Sequence, residues 1–127
     1  MQIKNNIIFL FIVCVLNLSF LTDSNLWAEE FDIEAKEITV DKQNNIVIGK
    51  GSVIVKDSDG TTIKSDKVIY EKSKEFLTLE GSVKIFDQEN NLVTTNKATY
   101  DKNNEIINTY ENSNIILKEG YNLSTNY

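Results

Sequence analysis

Two patterns of acidic residues could in principle do chemistry, and each has a simpler explanation. The segment Asp57-Ser58-Asp59-Gly60 resembles the start of an EF-hand calcium loop, but such a loop needs a Glu at its twelfth position, where this chain has Val68. A hairpin turn is the better interpretation of the segment. Paired carboxylates could also catalyse glycoside hydrolysis, but 19 acidic residues in a chain of 127 produce neighbouring pairs without selection. We therefore predict no catalytic residue.

The composition excludes most other chemistry. The chain has no His, no Arg and no Pro, and Cys14 is its single cysteine, which argues against zinc clusters, cysteine nucleophiles and internal disulfides. The net charge of −6 argues against nucleic-acid binding, which requires a basic surface. We predict a protein that is not an enzyme, with no metal and no cofactor. A small glycan-processing enzyme ranks last among the alternatives, because no acidic residue stands out as its catalyst.

The first 28 residues have the pattern of a secretory signal peptide. Lys4 lies in a short polar start, residues 7–21 are mostly apolar, and Ala28 precedes an acidic stretch. The apolar run is shorter than the roughly 20 residues that span a bilayer, so we favour a cleaved signal over a retained anchor. The sequence thus predicts export, cleavage near Ala28, and one mature domain over residues 29–127.

The mature chain repeats with a period of 30 residues. The first series of matched positions is Ile33, Ile63, Val93 and Leu123, and the second, two residues later, is Ala35, Ser65, Thr95 and Thr125. The segment Gly51-Ser52-Val53 matches Gly81-Ser82-Val83, whereas a third copy at Asn112-Ser113-Asn114 fits only after a slip of one residue. Self-similarity at one period indicates a stack of equivalent structural units.

Apolar and polar residues alternate inside each repeat, as they do in half-buried strands. The alternation slips by one residue between Ala35 and Ile38, and again at the matched positions of the next two repeats, which indicates a bulge or corner. Segments rich in Asn, Asp and Gly separate the strands and favour tight turns. We predict an all-β fold, a rolled antiparallel sheet or solenoid built from the 30-residue repeat, with Val and Ile inside.

The inward apolar rows support two interpretations that residue spacing cannot separate. In the first, these residues simply form a dry core. In the second, the rolled sheet stays open and its inner face holds acyl chains, since binding sites do occur inside rolled sheets. Both interpretations select the same side chains.

The repeated segments resemble the OstA-like domain of the periplasmic lipopolysaccharide-transport family. The resemblance covers essentially all of residues 29–127. It rests on four segments at matching spacing: Phe31–Ile38, Gly49–Val53, Ile63–Tyr70 and Leu79–Ile85. It implies a β-jellyroll with an open, V-shaped apolar interior, placed in the periplasm. It also implies a non-catalytic carrier that binds lipopolysaccharide by its acyl chains and passes it toward the outer membrane.

The resemblance further implies particular contacts. Candidate lipid-binding residues are Ile33, Ala35, Val53, Val55, Ile63, Val83, Ile85 and Val93. Family members dock end to end by pairing edge strands, so other transport components, or a second copy in a homo-oligomer, are the expected partners. Candidate docking edges are Phe31, Ile33, Leu123 and Thr125.

Two questions stay open at the level of sequence. Within the family, the chain could be the soluble bridge protein or the N-terminal domain of the outer-membrane translocon, and we favour the bridge. Outside the family, the repeats would equally suit a structural or adhesive β-solenoid without bound ligand.

Overall fold

The computed structural model describes residues 31–125, which form nine strands joined by short turns. The predicted signal peptide and the residues next to it lie outside the described range, so its cleavage stays a prediction. The strands are β1 (Phe31–Glu34), β2 (Glu37–Asp41), β3 (Ile46–Asp57), β4 (Thr62–Glu71), β5 (Phe76–Phe86), β6 (Leu92–Asp101), β7 (Ile106–Tyr110), β8 (Ser113–Ile116) and β9 (Asn122–Thr125). One turn of 3-10 helix, Lys72–Lys74, follows β4.

All nine strands belong to one antiparallel sheet. Its main path runs β1-β3-β4-β5-β6-β8-β9, while β2 pairs with β3 and β7 pairs with β6. Strands β2 to β7, and β8 with β9, therefore pair with their neighbours in sequence, as expected for strands joined by tight turns. Strands β1 and β2 both pair with β3, and β7 and β8 both pair with β6. The prediction of an all-β, rolled antiparallel sheet of the jellyroll type is confirmed.

Each long strand crosses a corner, which coincides with the slip in apolar alternation in β4 and β6. In β3, Gly51 and Ser52 lie opposite the single residue Asp66, because Lys50 pairs with Lys67 but Val53 pairs with Ser65. Gly51 and Ser52 have φ values of 77° and 50°, and the matched pair in β5 has 77° and 48°. An extra residue in the left-handed conformation bends a strand and defines a bulge. The extra residues lie in β3 and β5, opposite the slips that the sequence places in β4 and β6.

Small hydroxyl residues line the inside of the corner. The Ser65 hydroxyl donates a hydrogen bond to the carbonyl oxygen of Lys67 (3.1 Å), and the Thr95 hydroxyl donates one to that of Lys97 (3.3 Å). Both side chains are buried. These hydrogen bonds satisfy the buried hydroxyl groups, which explains how polar residues are accommodated within an otherwise apolar row.

The corner divides the sheet into two halves that face each other. The first half-sheet comprises β1, residues 53–57, 62–65, 83–86 and 92–95, β8 and β9; the second comprises β2, residues 46–50, 67–71, 76–80 and 97–101, and β7. Contacts between the halves include the edge-to-face pair of Phe31 and Tyr70, with ring centroids 5.0 Å apart. The continuous strands join the two halves on one side, and the hairpin turns lie along the opposite, open side.

The core fills the space between the two half-sheets. Val53, Val55, Ile63, Val83 and Ile85 come from the first half. The second half contributes Val47, Val68, Tyr70, Leu77, Leu79, Ala98 and Tyr100.

The third copy of the repeat differs from the predicted alignment. Val93 pairs with Ile115, as Ile63 pairs with Ile85 thirty residues earlier, so the predicted slip of one residue is wrong. Glu111 replaces the corner glycine and has a φ of 66°. Without a glycine at this corner, the strand breaks into β7 and β8 while the 30-residue spacing is kept.

Candidate functional site: the inner face of the rolled sheet

Three rows of side chains run across the strands on the inner face. In the first half-sheet, directly paired residues give a row of seven aliphatic side chains: Ile33, Val55, Ile63, Ile85, Val93, Ile115 and Leu123. In the second half-sheet, one row comprises Val40, Val47, Tyr70, Leu77, Tyr100 and Ile107, and the other Ile38, Gly49, Val68, Leu79, Ala98 and Thr109. Seven strands at about 4.8 Å spacing make the longest row about 29 Å long.

All eight candidate lipid-binding residues lie on the inner face of the first half-sheet or at its corner. Five of them (Val53, Val55, Ile63, Val83 and Ile85) are each 1% exposed. The other three (Ile33, Ala35 and Val93) are partly buried against the same core. In the described structure the middle of the inner face is therefore packed against protein, and an acyl chain reaches it only when the half-sheets separate.

The inner face is exposed at its N-terminal end. A cleft of about 190 Å³ there is bordered by Phe31, Ile33, Ile38, Val40 and Tyr70. The Ile38 and Val40 side chains on β2 are 49% and 54% exposed although they face inward. We call Ile33, Ile38 and Val40 the N-terminal mouth. It extends the buried rows to the surface without a change in chemistry.

The inner face is exposed at its C-terminal end as well. Ile107 on β7 and Leu123 on β9 continue the inward rows, and they are 36% and 57% exposed. Ile115 on β8 pairs directly with Leu123 and is half-buried. We call Ile107, Ile115 and Leu123 the C-terminal mouth. Within residues 31–125, no further strand covers it.

The candidate docking edges lie on the two terminal strands of the main path. Phe31 and Ile33 belong to β1, and Leu123 and Thr125 belong to β9. Among the described residues each of these strands pairs on one side only, so one row of backbone groups is available to a further strand. Phe31 is itself 1% exposed and packs inward, so β1 offers its backbone and Ile33 rather than the Phe31 ring.

A buried ionic cluster links the half-sheets on the open side, and the sequence analysis missed it. The Asp57 carboxylate accepts hydrogen bonds from the Tyr100 hydroxyl (3.0 Å) and the Lys102 ammonium (3.3 Å), and Lys102 also bonds Asp59. The side chains of Asp57 and Lys102 are 1% and 8% exposed. We call Asp57, Asp59, Tyr100 and Lys102 the latch. The sequence does carry a signal, since an acidic residue and a lysine follow the inward residue at three matched positions: Asp41-Lys42, Glu71-Lys72 and Asp101-Lys102. This pattern alone does not show which of the three lysines is buried.

The latch residues hold each other in definite charge states. Burial acts to raise the pKa of Asp57, but hydrogen bonds from the Thr61 amide and Tyr100, with the charge of Lys102, outweigh it and lower this pKa below its ordinary value. Burial and the Asp57 carboxylate raise the pKa of Tyr100 to about 12. For Lys102, burial is outweighed by the hydrogen bond to Asp59 and the nearby negative charges, so its pKa is raised. At neutral pH the cluster is therefore an ion pair with a neutral tyrosine.

The turn that contains the latch acids is the predicted hairpin, not a calcium loop. Asp57 accepts hydrogen bonds from the backbone amides of Asp59 (3.0 Å) and Thr61 (2.8 Å), which closes the turn between β3 and β4. Its second carboxylate oxygen bonds Tyr100 and Lys102. Within residues 31–125, no group of three or more acidic side chains is arranged to hold a metal ion.

Comparisons with known proteins give a likeness in fold. No family model and no curated protein matches this chain. Among solved structures, it is similar to the crystal structure of LptH, the LptA homologous periplasmic component of the conserved lipopolysaccharide transport device from Pseudomonas aeruginosa, at 14% identity and a TM-score of 0.40. The match covers 64% of this chain and 82% of that chain. Residues 31–125 include no helix with the length and hydrophobicity of a membrane span. At this similarity, nothing about ligand or partner follows from the likeness.

Proposed function

We propose that this domain is a non-catalytic periplasmic carrier that holds the acyl chains of lipopolysaccharide between its two half-sheets. The observation that carries the proposal is the continuity of the inner face. Its first-half row is aliphatic on all seven strands, and it stays aliphatic where it is solvent-exposed at Leu123. A core needs apolar residues only where it is covered, so exposed inward residues at both ends favour a track that a ligand or partner continues.

The exposed mouths also support docking at both ends. We propose that the strands beside the N-terminal and C-terminal mouths pair with other carriers of the same architecture, which would join their inner faces into one track. Backbone pairing would supply affinity, and the inward apolar side chains would set the register. The acidic surface does not oppose this function, because the held part of the ligand is uncharged.

A second candidate function is favoured by the closed interior. Five of the proposed lipid-contacting residues are fully buried, as expected for a structural or adhesive β-solenoid with a dry core. The two functions differ in what the inner face binds. A carrier extracted from the cell envelope retains a bound acylated glycolipid, whereas an extracted dry solenoid has no bound lipid.

Native mass spectrometry of the exported domain, extracted in mild detergent, tests the proposal. We expect a population heavier than the protein by the mass of one acylated glycolipid.

The variant Ile38→Asp tests whether the lipid lies on the inner face. Ile38 faces inward and is exposed, so Asp puts a charge on the track without disturbing the buried core. We expect this variant to reduce the loaded fraction at least tenfold. Thr39→Asp is the matched control, because Thr39 lies on the opposite face of the same edge strand. No loading of the unmodified domain would favour the dry solenoid. Equal loading of both variants would contradict a track that passes Ile38.

A further inference from the structure

Along the open side of the rolled sheet, the two half-sheets are joined at the β3–β4 turn and separated at the β5–β6 turn. At the β3–β4 turn, the latch joins the first half-sheet to Tyr100 and Lys102 of the second. At the β5–β6 turn, Asp87 makes the matched backbone bonds to Glu89 (2.9 Å) and Asn91 (2.8 Å). Its second oxygen, however, bonds the Asn91 side chain (2.6 Å) within its own turn.

A cleft of about 360 Å³ occupies the parted stretch. Asp87 and Glu89 line it from the first half-sheet, and Glu105 and Ile107 line it from the second. Asp59 and Tyr100, both latch residues, border the same cleft. Ile107 belongs to the inward row, so the cleft gives solvent access to the inner face from the side.

The hydrogen bonds of the latch are arranged so that the two half-sheets can separate there without disrupting the β3–β4 turn. Two backbone amides fix Asp57 to its own turn, so separating the half-sheets breaks only its bonds to Tyr100 and Lys102. A buried ion pair adds little net stability, because desolvation offsets most of the attraction between the charges. Once parted, both charges regain water, which makes the open form accessible.

We propose that this cleft is a side entrance for a single acyl chain of an amphiphile. The latch would keep the neighbouring stretch of the open side closed. The inference rests on the proposed carrier function and adds a route of loading and its control. Opening at the latch would separate the turns, with the glycine corners as the hinge. The chain would then lie along the inward rows, while its polar head stays outside among the turns.

Two measurements on one set of variants test the proposal. The first is the labelling rate of a thiol placed at Ile85, a fully buried inward residue, in a background in which Cys14 is replaced by Ser. The second is the association rate of parinaric acid, a fluorescent fatty acid. We expect Lys102→Met to raise both rates at least fivefold. Lys74→Met is the matched control, because Lys74 forms an exposed ion pair with Glu71 and lies outside the latch.

The outcomes separate the latch from the carrier function. Unchanged thiol labelling in a folded Lys102→Met protein that binds parinaric acid overturns the latch and leaves the carrier intact. No parinaric acid binding by the unmodified domain overturns the carrier and, with it, the entrance. If Lys102→Met does not fold, Tyr100→Phe removes only the hydroxyl bond to Asp57, and we expect it to raise thiol labelling about twofold; no rise would overturn the latch.

Discussion

At the scale of single residues, the buried latch is the feature with the most chemical content. Asp57 and Lys102 are 45 residues apart in sequence and meet because their turns face each other across the open side. The Tyr100 ring also packs edge-to-face on Phe31, with centroids 5.9 Å apart, so this part of the core combines aromatic packing with an ion pair.

The latch gives the domain a defined stability profile with pH. The pKa of Asp57 is lowered on folding, so its contribution is present above its ordinary value of 3.8 and is lost as the pH falls through the lower folded value. The raised pKa of Lys102 acts in the opposite sense, and its contribution is lost only in strongly alkaline solution. We expect Asp57→Asn to lower the free energy of unfolding by about 3 kcal/mol at pH 7.

Urea denaturation at several pH values measures this effect. The difference between Asp57→Asn and the unmodified domain should shrink as the pH falls below 3.8. A difference that stays constant down to pH 2 would show that Asp57 acts through packing and not through its charge.

The corner glycine Gly81 gives a second prediction at this scale. It has a φ of 77°, and a Cβ placed on it would lie 2.8 Å from the Cβ of Asp66 and still closer to its carboxylate. We expect Gly81→Ala to cost about 3 kcal/mol, because backbone strain and the contact with Asp66 add. Gly120 has a similar φ of 91° but open space around it, so Gly120→Ala should cost only about 1 kcal/mol. If thermal denaturation shows the same loss of stability for both variants, the steric contact with Asp66 does not contribute at the corner.

At the scale of elements, the strands and their inward faces follow directly from sequence. Period-2 alternation assigns Val83 and Ile85 inward and Lys84 outward, and the repeat transfers the same assignment to the next strand pair. The slip at Ser65 and Val68 locates the corner, because both side chains face inward only if the strand bends between them.

Other features depend on distances that local sequence patterns do not contain. Whether the two inner faces touch or leave a groove is invisible in the sequence, because a core and a lipid track select the same Val and Ile residues. The latch forms only because the two half-sheets face each other. The pairing of neighbouring strands does not determine how the half-sheets face. The break between β7 and β8 arises from Glu111 at a corner where the earlier repeats have glycine.

At the scale of the whole molecule, both ends carry an exposed mouth and an edge strand that, among the described residues, pairs on one side only. The β1 and β2 strands carry Asp32, Glu34, Glu37 and Asp41, whereas β7 and β9 carry no charged residue. Contact between two N-terminal edges would bring like charges together, so an N-terminal edge pairs at lower cost with a C-terminal edge than with another N-terminal edge.

Self-association measured by analytical ultracentrifugation tests this arrangement. We expect the weight-average mass to rise with protein concentration. Leu123→Lys places an inward charge on the edge strand β9 and should weaken association at least tenfold, whereas Ser124→Lys, on the outer face of the same strand, should weaken it much less. A strictly monomeric unmodified domain at millimolar concentration would contradict assembly through these edges.

Photocrosslinking to lipopolysaccharide in living cells, from one inward and one outward residue of β7, tests the central claim most directly. Ile107 faces inward opposite Tyr100 and is solvent-exposed, so a photoreactive residue there leaves the buried core intact. Asn108 is its outward neighbour and the control. The carrier account predicts a lipopolysaccharide adduct from Ile107 and none from Asn108. An exported, folded protein that gives no adduct from Ile107, or equal adducts from both positions, would contradict it.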